Sequence, residues 1–149
     1  WRGGAGVNLL IVGRVGWKTA ALQTTLRQHP LSGRRLFWFD DASDEEVERL
    51  YRTCSGVLAA SHAEGFGLPL IEALGHGKPV LARDISVFHA VSPRGIDYFS
   101  TQATAEQLAE SISIWLAGIG AKAIDPQALH LSSWQDSANH VVKTLSEHG

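Results

Sequence analysis

Two glutamates, Glu64 and Glu72, stand eight positions apart in "HAEGFGLPLIEALGHG" (62–77), around a Gly-Phe-Gly and a proline. Gly65 and Gly67 allow close backbone approach to a ligand and leave N–H groups free ahead of a helix expected over Leu68 to Leu74. Pro69 suits the first turn of that helix, where its missing N–H is not needed, and Gly75 and Gly77 supply the stop. A helix N-terminus with free N–H groups receives anions, phosphate above all. Carboxylates touching that phosphate would repel it. The two glutamates fit better as acceptors for hydroxyls on either side, one on a sugar and one on a ribose. A plainer reading stands beside this one: Glu72 only complements the helix dipole and Glu64 is a solvated loop residue. Spacing alone does not choose between them.

The elements that must position this stretch are legible as an alternation. "NLLIVG" (8–13), "RRLFWFDD" (34–41), "GVLAAS" (56–61) and "KPVLARD" (78–84) read as strands, with a weaker one at "IDYFS" (96–100). "WKTAALQTTLRQHP" reads as a helix stopped by Pro30. In "SDEEVERLYRTC", Ser43 and Glu46 form a capping box, and Val47, Leu50, Tyr51 and Cys54 fall on one helix face. A short turn or helix occupies 86–91. "TAEQLAESISIWLAGI" is a helix capped by Thr104 with Gln107, and "SSWQDSANHVVKTLSEHG" a last one capped by Ser132 or Ser133. Nearly all-apolar strands alternating with helices imply an α/β, doubly wound parallel sheet. Ligands of such sheets bind beyond the carboxyl ends of the strands. Three loops therefore qualify: "GRVGWK" (13–18), "FDDAS" (39–43) and "SHAEGFG" (61–67).

The chain has 149 residues, enough for one domain with a real core. Apolar content of 44%, charged content of 19% and a net charge of -2 describe an ordinary globular protein with no basic field for nucleic acid. The single Cys54 excludes an internal disulfide framework and cysteine-based zinc spacing, and fits a reducing cytoplasm. No apolar run approaches the roughly 20 residues of a membrane span, and no signal-peptide layout is present. The 7 histidines show no metal-ligand spacing. Methionine is absent and the chain opens on Trp1, so the sequence reads as part of a longer polypeptide, engineered or processed.

"EGFGLPLIEALGHGKPVLARD" resembles the E-x7-E signature of the retaining glycosyltransferases of the GT-B fold, glycosyltransferase family 4. "NLLIVGRVGW" and "FDDASDEEVERLYRTCSGVLAAS" resemble the same family, notably its mannosyltransferases of bacterial surface-polysaccharide synthesis. The similarity runs over about residues 8 to 100, with a weaker match in the last two helices. It implies the Rossmann-like C-terminal half of a GT-B enzyme, which binds a nucleotide-diphosphate sugar while a separate N-terminal domain binds the acceptor. Glu64 would then face the donor sugar's hydroxyls nearest the reacting centre. Gly65, Phe66, Gly67 and Leu68 would offer N–H groups to sugar and diphosphate, and Glu72 would accept the ribose hydroxyls. The loops at Gly13–Arg14 and Phe39–Asp41, with Asp40, would flank base and ribose. His62 reads first as structural and second as a hand on the donor sugar. No metal and no cofactor are implied. GDP-mannose is favoured over UDP-sugars as donor, and a cytoplasmic location, free or peripheral at the inner face of the membrane, is expected.

Departures from the family sharpen these expectations. The family's first strand, the loop with its Arg–Lys pair and the helix after it are absent, and "WRGGAG" resembles the tail of that helix. Arg14 and Lys18 are the candidates left for the phosphates, against a plainer reading as a solvated Arg and a first-turn helix Lys. The missing strand would lie between "NLLIVG" and "GVLAAS"; the remaining strands close that gap, or another chain or a second copy fills it. Ser86 and Ala90 stand where the family usually has Pro and Glu, which leaves that loop looser or marks an altered sequence. The Asp40–Asp41 pair closes a strand and is not read as a metal site. Trp17, Trp38, Trp115 and Trp134 read as core or packing aromatics, with Trp115 and Trp134 also able to face an N-terminal domain. Taken alone, the fragment is expected to transfer no sugar. A second reading is a non-catalytic nucleotide-sugar-binding or assembly domain of a polysaccharide-synthesis complex.

Overall fold

A computed structural model describes residues 1, 6–16, 19–92, 94–121 and 124–129. The chain divides into two compact units, Trp1–Thr53 and Cys54–Gly149. In the first, β1 (Leu9–Val12) and β2 (Leu36–Phe39) pair in parallel, from Leu9↔Leu36 to Val12↔Phe39. The connection runs through α1 (Ala20–Gln28), and α2 (Asp44–Thr53) follows β2. His29 turns extended at the end of α1 (φ -63°, ψ 134°), the conformation Pro30 imposes on the residue before it. The Ser43–Glu46 capping box forms as expected: the Ser43 N–H donates to Glu46 Oε2 at 2.8 Å and the Glu46 N–H to Ser43 Oγ at 3.3 Å. Val47, Leu50, Tyr51 and Cys54 are half-buried on their shared face.

The second unit holds β3 (Val57–Ala59), β4 (Val80–Arg83) and β5 (Ile96–Phe99), all parallel, with β4 in the centre. Its helices are α3 (Leu68–Gly75), the short α4 (Ser86–His89) and α5 (Ala105–Gly118). Every residue of β4 is buried, as a central parallel strand requires. Leu81 packs with Phe99 and with Trp115 of α5, joined by Leu58, Leu108 and Ile112. α3 packs on β3 and β4 and buries Leu70, Ala73 and Leu74. The Thr104–Gln107 capping box starts α5.

Some expectations change. Among the described residues the strands pair as two parallel ladders, β1–β2 and β3–β4–β5. Gly75 is still helical, and Gly77 makes the stop. At φ 67° Gly77 lets its own N–H reach Leu74 O (2.9 Å) and that of Lys78 reach Ala73 O (2.9 Å), the double bond of a Schellman turn. Trp115 is buried (8% exposed) as a core residue and does not face outward. Trp17, Lys18, Trp134 and the expected last helix lie outside the described residues.

Candidate functional site

The 61–68 loop leaves the carboxyl end of β3 and enters α3. Glu64 is half-buried, and its Oε1 accepts a hydrogen bond from Ser61 Oγ at 3.0 Å, which holds the carboxylate against its own loop. Glu64 is therefore not the freely solvated loop residue of the plainer reading. His62 is exposed. Phe66, at 77% exposed, projects its ring into solvent, and Leu68 is also exposed. Among the described residues the N–H groups of Gly65, Phe66, Gly67 and Leu68 meet no protein acceptor. Free donors of this kind, added to the positive end of the α3 dipole, form a cradle for an anion. Glu72 lies one turn inside α3 on an exposed face.

The two glycines of this cradle differ. Gly67 is the N-cap of α3 with φ 70° and ψ 31°, and a Cβ there would lie 2.9 Å from Val91 Cγ2 and 3.3 Å from Phe88 Cδ1. Left-handed backbone and tight packing both demand glycine at 67. At Gly65 a Cβ would meet nothing within 4 Å. The protein's own packing gives no reason for the missing side chain there, whereas a ligand seated on the N–H groups would.

Phe88, fully buried, anchors α4 beneath Gly67, so the segment with Ser86 and Ala90 is held in place despite its departures. Arg83 closes β4 and is buried (9% exposed); its Nε donates to Ala60 O and its Nη1 to Thr101 O, both at 3.2 Å. Asp84 and His89 pair through Oδ1 and Nε2 at 2.6 Å, and the His89 ring stacks on Tyr98 at 4.3 Å. Burial, and then the charge of Asp84, pushes the Tyr98 hydroxyl's pKa up. Ser61, Arg83 and the Asp84–His89 pair were not among the residues expected from sequence. Their only signal is polar residues placed just past apolar strands, in "AASHAE" and "VLARD".

In the first unit, Gly13, Phe39 and Asp40 come together where β1 and β2 end. The Gly13 N–H donates to Phe39 O at 3.1 Å, and Trp38 Nε1 donates to Gly13 O at 3.1 Å. Asp40 pairs with Arg27 at 3.7 Å, and the Arg27 guanidinium lies 5.3 Å from the centre of the Trp38 ring. Arg14 is exposed. Open depressions lie along Phe37–Asp40 and Arg27 and beside Ser100, Gln107 and Ile114. Among the described residues no group of three or more His, Cys, Asp or Glu could hold a metal ion, and no helix is long and apolar enough to cross a membrane.

Comparison with known proteins gives the family and the fold. Residues 4–122 match the family described as glycosyl transferases group 1. The chain is 39% identical over 147 residues to the serotype-specific mannosyltransferase WbdA of Escherichia coli, covering 97% of this chain and 18% of that protein. It is 34% identical over 116 residues to the O-antigen chain mannosyltransferase RfbU of Salmonella typhimurium, covering 71% of this chain and 32% of that one. The chain thus spans less than a fifth of the WbdA sequences it matches. Its fold is similar to the crystal structure of Anabaena Alr3699/HepE in complex with UDP and glucose, with a TM-score of 0.64 at 22% identity, over 95% of this chain and 41% of that one. The HepE complex with UDP alone gives 0.59 at 21% identity. At this identity the likeness establishes the fold, an α/β, Rossmann-like one. With four-fifths of its residues matched by the family pattern, the chain belongs to the glycosyl transferases group 1 family.

Proposed function

We propose that this chain is the donor-binding part of a retaining glycosyltransferase of family 4, with Glu64 and Glu72 as its E-x7-E pair. In this reading it takes a hexose, mannose before others, from a nucleotide-diphosphate sugar, GDP-mannose before UDP-sugars. The hexose passes to a glycan or lipid-linked acceptor in polysaccharide synthesis. The observation that carries the reading is the cradle itself: N–H groups at 65–68 that meet no acceptor among the described residues, a glycine at 65 where a Cβ would meet none of their atoms within 4 Å, and Glu64 fixed by Ser61 beside them. The mannosyltransferase relatives support the choice of sugar.

The chemistry follows from the arrangement. The donor's diphosphate accepts hydrogen bonds from the loop N–H groups, which need no reorganisation as negative charge grows on the departing oxygen. Glu64, tethered by Ser61, accepts hydroxyls of the sugar and holds it over its leaving group. Glu72 accepts the ribose hydroxyls one helical turn away. The family resemblance further assigns base and ribose contacts to Gly13, Phe39 and Asp40, and phosphate contacts to Arg14 and Lys18. Titration of the full-length protein with GDP-mannose, UDP-glucose and UDP-N-acetylglucosamine by calorimetry tests the reading. Binding of GDP-mannose in preference to the other two is expected, and binding of none of the three refutes it. Glu64→Ala in the full-length protein should abolish turnover; unchanged turnover would favour the non-catalytic binding or assembly domain instead.

A further inference from the structure

Arg83 is a charged residue at the end of a strand whose other members, Val80, Leu81 and Ala82, are apolar and buried. Burying a guanidinium is unfavourable unless its donors are satisfied, and an apolar side chain would suit the neighbouring Leu81–Phe99–Trp115 cluster better. Among the described residues no carboxylate lies within salt-bridge distance of it. Its partners are two backbone carbonyls, and their position is informative. The β3–β4 ladder ends at Ala59↔Ala82 and the β4–β5 ladder at Arg83↔Phe99. Ala60 and Thr101 lie just beyond those last pairs, where no strand partner remains. One planar guanidinium, seated 5.1 Å from the Phe99 ring centre, therefore reaches from the central strand to the exits of both its neighbours.

Ala60 is the residue before Ser61, and Ser61 holds Glu64. The chain of contacts runs from Arg83 to the Ala60 carbonyl, then to the Ser61 hydroxyl and the Glu64 carboxylate, which ends at the sugar side of the cradle. We infer that Arg83 is a positioning residue: by fixing the exit of β3 it sets where Ser61 and Glu64 present themselves to the donor sugar. This rests on the donor-binding reading above. It adds a division of labour, because Arg83 governs the sugar end of the donor and leaves the nucleotide end alone.

The test uses Arg83→Lys and Ser61→Ala in the full-length protein, with calorimetric titration of GDP-mannose and of GDP, which lacks only the sugar, and with thermal unfolding of each variant. Arg83→Lys keeps the charge but loses the two-pronged planar fork. Ser61→Ala breaks the same chain further out, at a part-buried surface hydroxyl, so it remains informative if the Arg83 variant fails to fold. The expected result is about a tenfold loss of GDP-mannose affinity in both variants, with GDP affinity unchanged within twofold and the Ser61→Ala midpoint unchanged. Equal losses for GDP and GDP-mannose, or wild-type affinity for GDP-mannose in Ser61→Ala, overturn the positioning role. Wild-type protein that binds neither ligand removes the underlying reading along with it, an outcome distinct from both.

Discussion

The two units use the same alternation of strand and helix and bury very different amounts of it. Of the buried apolar residues among the described part of the chain, only Leu36 belongs to the first unit; Leu70, Leu74, Val80, Leu81, Phe88, Phe99, Trp115 and the rest belong to the second. β1 is as apolar as β4, yet Leu9, Leu10 and Val12 are 38%, 39% and 43% exposed, while no residue of β4 exceeds 9%. Neither α1 nor α2 buries a residue fully, whereas α3 buries three. An apolar strand becomes core only where neighbours cover both its edges and both its faces, and β4 has that cover. The loop that carries the candidate site grows out of the well-packed unit, so its cradle rests on a rigid base. A site that must hold a diphosphate through oriented N–H groups needs such a base.

The sharpest way to break this contrast is to remove a side chain from each unit. Phe88→Ala deletes a fully buried ring under Gly67 and should lower stability by about 3–5 kcal/mol in denaturant titration. Leu10→Ala, in a strand of equal hydrophobicity, should cost about 1 kcal/mol because much of that side chain already meets water. Equal losses would mean that the uneven burial is not what stabilises the chain.

The next contrast lies inside the cradle. Gly67→Ala must adopt a left-handed backbone and crowd Val91, which should cost about 1–3 kcal/mol. Gly65→Ala meets open space and should change stability by less than about 0.5 kcal/mol, while weakening nucleotide-sugar binding by the full-length protein in calorimetry. Undiminished binding in Gly65→Ala would leave that glycine without a ligand to explain it.

The smallest effect concerns the cap of α2. The Ser43 backbone N–H, and then its hydroxyl, hold the Glu46 carboxyl below its ordinary value of 4.5. A carboxyl with a lowered native pKa stabilises the fold above the unfolded value. That contribution is lost as pH falls below about 4.5 and through the lowered native value. Acid unfolding monitored by circular dichroism should therefore show a shallower fall in stability over this window for Glu46→Gln, which cannot titrate, than for the unchanged chain. An identical acid limb in both would remove the capping box from the account.

Both capping boxes were legible in advance because each depends on residues three apart: Ser43 with Glu46, and Thr104 with Gln107. The strands, the entry of α3 at Leu68 and the acceptor-free donors ahead of it were legible for the same reason, since glycine, proline and apolar period act on near neighbours. That Gly77 by itself makes the stop was not, because which of two glycines turns left-handed depends on where Ala73 and Leu74 offer their carbonyls. Nor could spacing separate the two glycines of the cradle. Gly67 is required by Phe88 and Val91, more than twenty residues on, whereas a Cβ at Gly65 would meet nothing among the described residues.

Sequence alone, through short-range pattern, determined the α/β alternation, both capping boxes and the start of a helix at Leu68. Those properties are local, set by steric and hydrogen-bonding preferences that act within a turn or a strand. The fold decided the rest: which apolar strand would be covered, that Ser61 would hold Glu64, and that Arg83 would bind Ala60 and Thr101 across the ends of its neighbours. Burial and those long-range bonds exist only once distant segments are packed side by side, because a buried charge finds its partners in whatever the packing brings to it.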